Sequence, residues 1–177
     1  MVFERGLDDR ELHAIEDKYG FHFPPDLRRF LGHGLPISKS WVNWRSDTER
    51  AIRDRMAWPY EGLCFDVEEN AFWLDRWGPK PTDLGEAFAV VARALKTAPK
   101  LIPIFSHRYI PDRPQLEGNP IFSVYQGDII TYGGDLETYL GNEFGYYFGE
   151  DRYRLREPAR TIELWSELVE LNDGPPE

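Results

Sequence analysis

Cysteine occurs once in the 177 residues, at position 64, so no internal disulfide can form. That usage points to a reducing compartment. No stretch approaches the roughly 20 apolar residues that a spanning helix needs. The opening "MVFERGLDDRELH" is charged and lacks the apolar centre of a signal peptide. The expectation is a cytoplasmic protein that touches no membrane. Histidine is scarce, at positions 13, 22, 33 and 107, and none stands four residues from another on a predicted helix or near Cys64. A zinc site needs a closer cluster, so neither a metal nor a cofactor is expected. The "GHG" at Gly32 to Gly34 follows a helix, the wrong context for a phosphate loop. No repeat or flexible linker divides the chain, and residues 1–177 read as a single domain.

Basic patches are also missing. The formal net charge is −10 and the sequence pI is about 4.9. From Asp128 to Glu177 there are twelve acids against four arginines, a net of −8, so most of the excess lies in the last third. This excludes nonspecific binding to nucleic acid, which depends on Lys and Arg. It favours solubility or a basic partner reached by electrostatic steering. Aromatic residues are abundant at 15%, which predicts a core rich in rings.

The periodicities alternate helix and strand. Asp8 and Glu11 form a capping box for a helix to Tyr19, with Leu12, Ile15 and Tyr19 on one face and Gly20 as the stop. Pro25 opens a second helix that buries Leu27, Phe30 and Leu31 and closes at Gly32 or Gly34. Ser46 and Glu49 cap a short third helix that stops before Pro59, and "EGLCF" reads as a strand. An ordered loop follows. Asp83 and Glu86 cap a fourth helix with a stripe of Leu84, Phe88, Val91 and Leu95. "LIPIF" is a buried strand whose Pro103 requires an edge position or an outward-facing nitrogen. Arg108 to Ile110 extends. Ile121–Tyr125 and Ile129–Tyr132 form a hairpin around Gln126-Gly127-Asp128, and Asp135 caps the helix beyond it. "DRYRLRE" alternates as a further strand, in which Arg152, Arg154 and Arg156 either hold an anion or pair with flanking acids. A last helix places Ile162, Trp165, Leu168 and Val169 on one face.

Catalytic constellations do not stand out. Cys64 and His107 are formally available as a pair, but Cys64 lies between Leu63 and Phe65, where a thiol packs as a small hydrophobe. Carboxylates are too numerous for any acid–base pair to be singled out. His107, beside Ser106 and Tyr109 after a buried strand, marks a possible pocket. The tryptophans are more informative: Trp41, Trp44, Trp58, Trp73 and Trp77 are five of the six. Indoles near Glu61, Asp66, Glu68, Glu69 and Asp75 suit a binding surface for a basic partner, or else fill a core beneath loops. Trp41, Trp44, Asp66, Glu68, Trp73 and Trp77 are the candidate partner-binding residues, with His107 and Tyr109 as the candidate pocket.

"LDDRELHAIEDKYGFHFPPDLRRFLGHG" resembles the N-terminal signature of the SMI1/KNR4 (SUKH) superfamily, through Ile15-Glu16, Tyr19-Gly20, Phe23-Pro24, Asp26 and Phe30-Leu31. "GNPIFSVYQGDIITYGGDLETYLGNEF" is similar to its later strand–strand–helix element, through Asp135-Leu136, Tyr139-Leu140 and Glu143-Phe144. The resemblance spans about residues 7–145 and leaves 146–172 as a C-terminal strand and helix extension. "GHGLP" departs from the family's Asn-Gly-Gly-like segment. The resemblance implies an α+β domain with a central, mainly antiparallel sheet and flanking helices. It implies a non-enzymatic, protein-binding role without catalytic residues. Many bacterial members are immunity proteins that neutralise toxins, and fungal members look like regulatory scaffolds. The leading expectation is therefore occlusion of a basic toxin domain, followed by a scaffold of the SMI1/KNR4 type and then a small-ligand binder.

Overall fold

The computed structural model describes residues 1–145 and 159–173. In chain order they form β1 (Phe3–Arg5), α1 (Asp9–Tyr19), α2 (Pro25–His33), β2 (Gly34–Pro36) and α3 (Glu49–Glu69). A single 3-10 turn at Asp75–Trp77 and α4 (Leu84–Thr97) follow. Next come β3 (Leu101–Phe105), β4 (Arg108–Pro111), β5 (Ile121–Tyr125), β6 (Asp128–Gly133), α5 (Leu136–Phe144) and α6 (Trp165–Asp173). Strands β3 to β6 pair antiparallel in sequence order, and β1 pairs antiparallel with β2. The architecture is α+β, with helices flanking an antiparallel sheet, as expected.

Both faces of the sheet are covered. Ile102, Ile104, Ile110 and Ile121 point into a cluster with α1, α2 and α5. Their neighbours Leu101, Tyr109, Phe122, Val124 and Ile129 point into a second cluster with α4, α6 and the C-terminal half of α3. That is why "LIPIF" is apolar at every position instead of alternating. β3 is an edge strand, so the missing N–H of Pro103 costs little there. The chain before α3 runs along that edge: Val42 N–H donates to Ile104 O (3.1 Å) and Ser106 N–H to Ser40 O (2.8 Å).

The capping chemistry of α1 is present in full. Asp8 Oδ1 accepts from the backbone of Arg10 (3.0 Å) and Glu11 (2.9 Å), and Glu11 Oε2 accepts from Asp8 N–H (2.9 Å). Gly20 ends the helix in the left-handed region, φ 69°. α2 begins at Pro25 but runs through Gly32 to His33, and Gly34 is extended and opens β2. α4 is capped by Asp83, yet its buried positions are Ala87 and Val91; Leu84 is exposed. The hairpin β5–β6 and α5, capped by Asp135, stand as the sequence led us to expect. Trp165 and Leu168 are buried on the inner side of α6, and Ile162, just before the helix, is buried as well. The expected strand at "DRYRLRE" and its arginines lie outside the described residues.

The main correction concerns α3. It neither starts at Ser46 nor stops before Pro59, and "EGLCF" is not a strand. Thr48 is the N-cap, and its hydroxyl accepts from Ala51 N–H (3.2 Å). The helix then continues through Pro59 to Glu69. A proline inside a helix leaves the carbonyl four residues earlier without its N–H partner. Here that carbonyl belongs to Arg55, and the buried Tyr109 of β4 supplies the missing donor, its hydroxyl lying 2.9 Å from Arg55 O.

Candidate functional site

Three contacts seat α3 on the sheet and shape one side of the molecule. Tyr109 reaches up to Arg55, as above. Two turns further on, Gly62 brings the helix against the β5–β6 turn: a Cβ at position 62 would stand 2.7 Å from Gln126 Cα. One turn beyond that, the buried carboxylate of Asp66 accepts from Gly127 N–H and is held by Asn70 Nδ2 (2.6 Å). The hairpin tip is also fixed from the other side, where Asn172 Nδ2 of α6 donates to Gly127 O (2.9 Å) and Ile129 O (3.0 Å). Tyr125, at the end of β5, is thereby held beside the outer face of α3.

That outer face has a composition of its own. Asp54, Trp58, Glu61, Phe65, Glu68 and Glu69 recur at three- and four-residue steps and so share one side of the helix. All are exposed or partly exposed. Trp58 is 44% exposed and Phe65 46%, and Tyr125 across the groove is 57% exposed. Asp54 lies 3.8 Å from Arg50. Glu61, Glu68 and Glu69 have no cationic partner among the described residues.

Where α3 meets the β3–β4 turn there is a cavity of about 590 Å³, with Asp54, Trp58, Glu61, His107, Tyr109 and Tyr125 in its lining. Two non-glycine residues at its edge, Ser40 (φ 77°) and Ser106 (φ 50°), sit in the left-handed region. Strain of this kind is concentrated at sites with a task. Arg55 also lines the cavity, but its Nη1 donates to Ser40 O (3.2 Å). Burial, and then the neighbouring Arg108, push the His107 imidazole below its ordinary range, so it is largely neutral at pH 7. Burial pushes the Tyr109 phenol upward and keeps it protonated as a donor. Ser106 Oγ lies 3.1 Å from His107 Nδ1. Among the described residues no carboxylate hydrogen-bonds to His107, so the pair lacks the third member of a nucleophilic relay.

The residues singled out from the sequence do not form one patch. Trp41 is buried against Phe105 (5.5 Å) and Phe144 (5.3 Å), and Trp44 against Phe23 (5.4 Å), Phe21 and Tyr19. Both are core rings. Asp66 is the buried acceptor for the hairpin, not a surface acid. Trp73 and Trp77 are partly buried and meet edge to face at 5.2 Å, with Trp73 Nε1 donating to Gly78 O (2.6 Å). Glu68 is exposed on the α3 face. His107 and Tyr109 do meet in one cavity, in the company of Trp58 rather than Trp73. Trp58 and Phe65 were missed as contact residues because the strand assigned to "EGLCF" concealed their helical spacing.

A second polar cluster lies under α5. Arg108 Nη1 donates to Ser123 Oγ (2.9 Å), and its guanidinium stands 3.8 Å from the Tyr132 ring centroid. Its Nε is 3.8 Å from Glu143 Oε2. Among the described residues, Arg108 Nε, Glu143 Oε2 and the hydroxyl of fully buried Tyr139 find no hydrogen-bond partner. Among the described residues there is no cluster of His, Cys, Asp and Glu fit to hold a metal ion. No helix among them is long and apolar enough to cross a membrane. Comparison of the chain with protein-family models, curated proteins and solved structures finds no match.

Proposed function

We propose that the chain is a protein-binding domain that caps a basic surface on its partner with the outer face of α3. One observation carries the reading: two exposed rings, Trp58 and Phe65, alternate with Glu61, Glu68 and Glu69, three carboxylates without cationic partners among the described residues. Aromatic anchors in a charged rim are the usual composition of a binding hot spot. Unpaired carboxylates are already positioned for Lys or Arg and need no existing ion pair to break. A net charge of −10 adds long-range attraction. Taken with the resemblance to the SUKH superfamily, the reading becomes an immunity protein acting in the cytoplasm, where Cys64 stays reduced. It would occlude the basic active face of a toxin domain and perform no chemistry itself.

The test pairs the chain with any toxin domain found encoded beside its gene. Co-expression is expected to protect cells, and titration calorimetry to give a one-to-one complex that weakens as salt rises. The double variant Glu61→Arg, Glu68→Arg is expected to lose protection while keeping its thermal midpoint, because both side chains are solvated. Full protection by that variant would refute the assignment of the face. A neighbouring gene set with no toxin, together with capture of wall-synthesis or signalling proteins, would favour the regulatory scaffold.

A further inference from the structure

We infer that the cavity between α3 and the β3–β4 turn is a socket for a single arginine side chain of the partner. The inference rests on the reading of α3 as a docking face. It adds which chemical group anchors that face and where. Trp58 of α3 and Tyr125 of β5 both line the cavity, and both rings are substantially exposed. A flat cation is attracted to the face of such rings. Glu61 is the acceptor. It stands three residues from Trp58 on the same helix face and has no cationic partner among the described residues, whereas Asp54 is shared with Arg50. A guanidinium uses both features at once, stacking on a ring while two of its N–H groups meet one carboxylate. An ammonium offers no plane to stack.

The groups already in the cavity permit this charge. Arg55 is the lining cation, and it is tied to Ser40 O at the edge. His107, uncharged at neutral pH, does not repel an incoming cation. The charged and titratable groups around it are Arg108 of β4, Glu143 of α5, and Asp54, Arg55 and Glu61 of α3. Protonation of His107 would add a second positive charge beside the bound guanidinium, so occupancy is expected to fall as the ring titrates.

The probe is blocked arginine (N-acetyl-arginine methylamide), titrated into the intact protein and followed by the NMR shifts of the Trp58 indole and His107 ring protons. Blocked citrulline, which has the same shape without the charge, is the control. Saturable shifts are expected at both residues, with citrulline at least about tenfold weaker, the factor that about 1.4 kcal/mol represents. Glu61→Gln is expected to weaken arginine by about the same factor, and Trp58→Ala by several-fold. In wild type the affinity falls as the pH drops below neutrality and His107 takes up its proton, and in His107→Gln that fall is lost. Equal binding of citrulline, or no saturable shift at Trp58, overturns the socket. The two readings fail separately. If a partner binds the face but tolerates Glu61→Gln and is not displaced by blocked arginine, the socket is wrong and the docking face stands. If blocked arginine binds as described and no basic protein does, the socket stands and the protein-binding role is wrong.

Discussion

Replacing Tyr109 with Phe removes one oxygen atom and takes from the part-buried Arg55 carbonyl the donor that stands in for the helix. Pro59 has no N–H to offer Arg55 O, and the Tyr109 hydroxyl at 2.9 Å is the donor that takes its place. An unsatisfied buried acceptor costs about 1–3 kcal/mol, more than the roughly 1 kcal/mol net value of an ordinary hydrogen bond. Tyr109→Phe is therefore expected to lower unfolding stability by about 1–3 kcal/mol, read as a lower denaturant midpoint at unchanged slope. The mechanism, and not only the size, is open to test. Pro59→Ala restores a backbone N–H to Arg55 O, so in that background the same substitution should cost about 1 kcal/mol or less. Tyr139→Phe is the companion experiment. That ring is as buried as Tyr109, but its hydroxyl has no partner among the described residues, so its loss should be neutral or stabilising. Equal costs for Tyr109→Phe in the two backgrounds would refute the account of how α3 passes its proline.

Three further outcomes are expected. Gly62→Ala should destabilise by about 1–3 kcal/mol despite the better helix propensity of alanine, because the new methyl would meet the Gln126 backbone; a more stable variant in thermal melts would contradict that close approach. Glu11 accepts from Arg45 Nε (2.7 Å) and from Asp8 N–H, which hold its carboxyl at about 2. A lowered folded-state pKa gives stability that is present above about 4.5 and lost as pH falls towards about 2. Glu11→Gln should flatten the acid limb of stability over that window, and an unchanged limb would show that the pair contributes nothing. Cys64 is buried, and burial raises its thiol above the ordinary range. It should react with a disulfide reagent only as fast as the protein unfolds, and fast labelling of the native state would exclude that burial.

Local chemistry was legible wherever a few neighbouring residues complete it. The Asp8–Glu11 box, the stop at Gly20, the β5–β6 hairpin and the Asp135 cap need no distant partner. Pro59 shows the opposite case. Read alone it ends a helix, and "EGLCF" then resembles a strand, since a short apolar run fits either state. What decides otherwise is the hydroxyl of Tyr109, fifty-four positions beyond Arg55. The candidate site was misplaced for the same reason. Tryptophans close in sequence suggested one patch, but Trp41 and Trp44 belong to the core. Once α3 is continuous, the steps from Asp54 through Trp58, Glu61 and Phe65 to Glu68 are plain in the sequence.

The grip of Asn172 on the hairpin has a consequence for timing. Every residue lining the cavity has been synthesised by the time the ribosome passes Tyr125. The wall formed by that tyrosine is held on one side by Asp66 and on the other by a side chain made forty-five residues after Gly127. A nascent chain would therefore present the acidic face of α3 well before it owned a finished socket. Recognition would switch on only when α6 had left the exit tunnel and closed over the strand.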